Sequence, residues 1–371
     1  MCSKICAPVT GAPTARARAA SSSFRGTATG NRFEQHSNPL DNQMPTYLLI
    51  RLASILIVII ASQAPGRSWT ALVYSIALGH YVMSIAYSKG QVKEFLGRPL
   101  ALLTMFSFTV FAAALYLVRL PLFILFGIHH AFNEGYVLKR AVPCDGQYAG
   151  AFRTSATLLH LFLYFVLLRH VSSIGAIDLP SLYLIFLGGG QGMGTSFLWV
   201  GLALSYAAFF YYLYQVRPLL SFRDLIENCG FELLGVVAVA ASFFIKIQFL
   251  QIVLYHVVFW CLYPLPKVIK SGYRDLLVYC GMTGTVTAVF IYISPIGSAH
   301  YRLPSLSFLN QFLFWSYVHI TLSFVLSNAN PSWLVELFRP GIEPDARPSG
   351  LEQVQPLRLG ATAGPGRRAA S

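Results

Sequence analysis

The sequence predicts an all-α fold: a polytopic integral membrane helix bundle of about eight to ten transmembrane helices. Three observations carry that expectation. Of 371 residues, 55% are hydrophobic and 11% charged, whereas a soluble domain carries about 25% charged residues. Several apolar stretches reach the roughly 20 residues that a helix needs to cross the hydrocarbon core. Stretches such as LLTMFSFTVFAAALYLV, residues 102–118, lack the polar face that a soluble helix shows at regular spacing.

Residues 1–43 are dominated by Ser, Ala, Arg and Gly without apolar periodicity, and are read as a disordered basic extension. Scarce acids beside Arg and Ser suit an organelle transit segment, while a translation start at Met44, just before the first apolar span, accounts for the segment equally well. The transmembrane domain is expected over 44–338. Residues 339–371, rich in Pro, Gly and Arg, form a second disordered tail.

Within the domain, spans are expected at 47–63, 69–88, 99–118, 120–138 and 154–171, then at 195–215, 231–263, 276–296 and 306–328. At about 1.5 Å per residue, the stretch 231–263 is too long for one perpendicular crossing, so it must tilt, kink or divide. The apolar piece 182–187 is too short to cross. With the GGGQGMG run that follows it, 188–194, it reads as a re-entrant or broken element, which requires cover from protein or water.

Lys89, Lys93, Arg98, Lys139, Arg140 and Arg153 flank loops that the positive-inside rule places in the cytoplasm, and the N-terminus with them. The net charge of +13 lies largely in the tails and these loops. It calls for membrane lipid, including anionic headgroups, and for no nucleic acid. The six cysteines show no CxxC or zinc-ligand spacing, and no phosphate loop, dinucleotide fingerprint or GxSxG is present.

Ionisable groups inside the spans are the informative residues, because they are costly there and mark functional interiors. In GIHHAFNEGY, His130 and Glu134 share one helix face and His129 and Asn133 the adjacent one. His80 heads a stripe with Ser84 and Tyr87, and His319 lies between Ser316 and Ser323. His256 precedes Tyr263, Pro264 and Pro266, which mark a kink. The metal-ligand candidates are therefore His80, His129, His130, Glu134, His256 and His319. His160 ranks below His256, and His170 and His300 suit surface positions. Lys246 reads as a break or interfacial residue ahead of a Schiff-base amine. Each histidine also has a structural reading, as interhelical hydrogen-bond glue.

Three functional classes follow. The first is a metal-dependent oxidoreductase, with non-haem iron held by the histidines, acting on a lipid or isoprenoid-like apolar substrate. The second is a non-catalytic transporter or an accessory subunit of a membrane complex whose histidines bind haem or a pigment. The third is an acyl or prenyl transferase with one histidine as general base. The number of histidines at similar depth favours ligation over a single base.

Overall fold

The computed structural model describes residues 46–64, 66–87, 121–141, 148–169, 173–174, 177–178, 193–220, 222–294, 308–327, 330 and 334, with scattered positions in 103–114. The two tails, most of the span expected at 99–118, the Gly-rich run at 188–192, His170 and His300 lie outside the described residues.

Ten helices carry the fold among the described residues: α1 (Thr46–Ala61), α2 (Gly66–Tyr87), α3 (Pro121–Ala141), α4 (Ala149–Leu167), α5 (Met193–Val216), α6 (Phe222–Ala241), α7 (Phe249–Leu262), α8 (Leu265–Ser271), α9 (Tyr273–Ile293) and α10 (Phe308–Leu326). A two-residue antiparallel pairing, Ser173–Ile174 with Ile177–Asp178, follows α4. Helix dominates for a physical reason. In lipid each backbone N–H and C=O must find a partner within its own segment.

Among the described residues, five stretches are long and apolar enough to cross a membrane: Ser68–Ala86, Ala149–Leu167, Ser196–Val216, Phe249–Ser271 and Tyr273–Ile293. Three shorter apolar helices, Tyr47–Ala61, Gly230–Ala241 and Gln311–Leu326, accompany them. These helices are compatible with a multi-pass integral membrane protein. α3 is less apolar than these helices, since it carries His129, His130, Glu134, Lys139 and Arg140.

The long stretch 231–263 divides. α6 ends at Ala241 and a turn over Ser242–Phe244 follows, after which a reciprocal Gln248–Gln251 capping box starts α7. Lys246 lies exposed in this break. At the far end of α7, Pro264 and Pro266 open α8, and Gly272, at φ +124°, turns the chain into α9. That φ is open to glycine and strained for other residues.

Three apolar clusters hold the described helices. The largest joins residues such as Val73, Phe126, Val253, Leu254 and Phe312 from α2, α3, α7 and α10, the second joins Leu159 of α4 to Leu202 and Phe209 of α5, and the smallest gathers Val325 and Leu326 with Leu334. Close approach depends on glycine at one position in particular. A Cβ at Gly127 would sit 2.6 Å from the Tyr164 ring, and Tyr164 donates to the Phe123 carbonyl at 2.9 Å. Glycine at 127 thus seats α3 against α4 and fixes the placement of the histidine pair one half-turn later.

Candidate metal centre

Five imidazoles from four helices converge. His80 comes from α2, His129 and His130 from α3, His256 from α7 and His319 from α10, and all are buried, between 3% and 9% exposed. Four of them form a closed ring. Their centroids are 5.1 Å apart for His80–His319, 5.4 Å for His319–His129, 5.0 Å for His129–His256 and 6.0 Å for His256–His80. Metal–nitrogen bonds of about 2.0–2.1 Å put two imidazole centroids on one ion roughly 5 Å apart. For His80, His256 and His319, one nitrogen on each lies within 4.8 Å of the others.

The hydrogen bonds around the ring fix which nitrogens face it. Ser84 donates its only hydroxyl proton to the Tyr81 carbonyl at 2.8 Å, so at 3.1 Å it accepts from His319 Nδ1. His319 Nε2 is then a bare lone pair, and it is buried without a hydrogen-bond partner. His256 Nδ1 faces His130 Nδ1 at 3.4 Å, where either nitrogen can donate, while His256 Nε2 is buried and unpartnered. The Asn133 Nδ2 donates to His129 Nε2 at 3.0 Å, which leaves the proton of a neutral His129 on Nδ1. Histidines that ligate metals usually donate through their second nitrogen, as His319 does to Ser84.

Aromatic side chains enclose the group. Tyr81 stacks on His319 at 4.5 Å and donates to Ser316 Oγ at 2.9 Å, since Ser316 uses its own proton on the Phe312 carbonyl. Phe126 lies parallel to His130 at 6.2 Å.

Glu134 faces elsewhere. Its Oε2 takes Arg51 Nη2 at 2.5 Å and its Oε1 takes the Tyr255 hydroxyl at 3.4 Å. The carboxylate that shares a helix face with His130 is thus engaged by a guanidinium that keeps its charge in proteins. The converging donors are imidazoles, a set that suits iron, copper, zinc or nickel. His256 and His160 fall in different places, for His160 Nε2 pairs with Glu232 Oε1 at 3.0 Å. Arg51 and Glu232 escape the sequence reading, although a lone Arg inside LLIRLASIL is itself the signal for a buried partner. Arg51 is completed by Phe231, whose ring centroid lies 3.9 Å from its Cζ. No protein-family model, curated protein or solved structure matches the chain.

Proposed function

We propose that this protein is a multi-pass membrane metalloprotein that carries out redox chemistry on an apolar, lipid-soluble substrate, with one non-haem iron ion held by His80, His256 and His319. The observation that carries this reading is the pair of buried, unpartnered Nε2 atoms on His256 and His319, each with a partner on Nδ1. A buried polar atom left unpaired costs about 1–3 kcal/mol, and a cation ligated by both atoms removes that cost. The tight four-imidazole ring favours a bare ion over a flat macrocycle such as haem, and over a single general base. Iron supplies one-electron chemistry when bound, while the chain's own residues position it, exclude water and admit substrate from the bilayer. We place about eight to ten crossings and a cytoplasmic N-terminus on the basic loops of the sequence.

Metal analysis and an optical spectrum of the purified protein test this. One iron per chain without a porphyrin band is expected, and H256A and H319A should each lose most of it. A metal-free, colourless wild-type protein rejects the centre, and a porphyrin band transfers the histidines to haem binding.

A further inference from the structure

A second ionic centre lies on α1, α3, α4 and α6, apart from the imidazole ring. Arg51 and Glu134 pair at 2.5 Å and cancel each other's charge. His160 Nε2 and Glu232 Oε1 pair at 3.0 Å, with side-chain exposures of 2% and 0%. The titratable groups that interact with His160 include Glu232, Glu134, Arg51 and, from α3, His130. Arg51 in turn interacts with Tyr255 and Glu232. From α5, Tyr206 donates to the backbone carbonyl of Glu232 at 3.1 Å, not to its carboxylate.

Charge balance then decides the state of His160. An ionised carboxylate at bilayer depth is costly without a counter-charge. Arg51 already matches Glu134, and it meets the Phe231 ring at 3.9 Å. The Oε2 atom of Glu232 is buried without a hydrogen-bond partner, so donors do not offset its charge. Of the groups that act on this carboxylate, His160 is the one able to add a positive charge.

We propose that His160 and Glu232 form an intramembrane proton-binding site, holding at neutral pH one proton beyond that of a neutral imidazole, shared between Nε2 and Oε1. The ligand is the proton itself. The site gives the membrane interior a store of one exchangeable proton on the α4–α6 side, and it stands independently of the metal centre.

Nitrogen-15 NMR of histidine-labelled protein, with infrared spectroscopy of its carboxyl groups, tests this on the full chain at neutral pH. An imidazolium resonance lost in H160Q, or a protonated carboxyl band lost in E232Q, reports the bound proton. A neutral imidazole beside an ionised carboxylate overturns the proposal. Stability gives a second arm, because glutamine at 160 keeps a hydrogen-bond donor but not the charge. H160Q should lower the thermal midpoint by several degrees, and the H160Q/E232Q pair, neutral again, should recover most of it. An H160Q midpoint equal to wild type overturns the proposal. Iron content in E232Q should match wild type, so loss of the metal reading leaves this result untouched.

Discussion

At the scale of single residues, what matters is which nitrogen each histidine presents. Ser84 contributes one hydroxyl, and its donation to the Tyr81 carbonyl forces it to accept from His319. Ser84→Ala removes that acceptor and frees the imidazole to change tautomer. Metal affinity should fall about 10–100-fold, as it does when the group behind a ligating histidine is lost. Competition with a chelator measures this, and unchanged affinity would mean that Ser84 does not set the tautomer. The Arg51–Glu134 pair makes a sharper case. Glu134→Ala strands a guanidinium among Phe231, Phe259 and Tyr255 and should cost about 3–5 kcal/mol, whereas Arg51→Met with Glu134→Leu should recover most of that loss. Denaturant or thermal unfolding of the two variants beside the wild type checks the sign. The histidines were legible in the sequence because a titratable side chain inside an apolar run stands out. Their partners were not. Arg51 meets Glu134 across 83 residues and His160 meets Glu232 across 72, and a helical period tells which residues share a face but not which faces meet. For that reason the sequence pairs Glu134 with His130, while the carboxylate meets Arg51.

At the scale of elements, the histidine pair on α3 is only as well placed as α3 itself. Gly127 lets that helix lie against Tyr164 of α4. In Gly127→Ala the new methyl meets a ring that is buried and tied to the Phe123 carbonyl, so α3 must shift. The expected cost is about 1–3 kcal/mol, the range for overpacking a filled core, with a parallel drop in bound metal. Gly127→Ala with full stability and full metal content would show that the contact is slack. The division of 231–263 into α6 and α7 was legible as a length problem, since one helix of that length overshoots the hydrocarbon. Its position, at Ser242–Gln248, follows from chemistry that periodicity does not register: Arg169 donates to Ser242 Oγ at 2.8 Å and to the Ser242 carbonyl at 3.2 Å, so the end of α4 ties down the end of α6. α7 then restarts on its capping box two turns before His256.

At the scale of the whole molecule, the surface reports the surrounding solvent. Phe197, Leu204, Val237, Val289 and Tyr292 are all more than half exposed, which in water would drive aggregation and in lipid is ordinary. Cys280 is exposed in the middle of α9. In a variant that keeps Cys280 as its one cysteine, a lipid-soluble thiol reagent should label intact vesicles and a membrane-impermeant one should not. Equal labelling by both would place α9 in water. The apolar helical character could be read from composition alone, but the ring of imidazoles could not be assembled from it, because four helices separated by long intervals supply its members. α9 also carries a practical consequence. Only 6% of its span is buried, and it meets α2 where Thr287 lies against Gly79, the neighbour of His80, and where the Phe290 carbonyl accepts from Ser75 at 3.2 Å. A helix so little buried has few contacts to retain it once lipid is withdrawn, so extraction into short-chain detergent should release it first and loosen the His80 corner, whereas nanodiscs should preserve both.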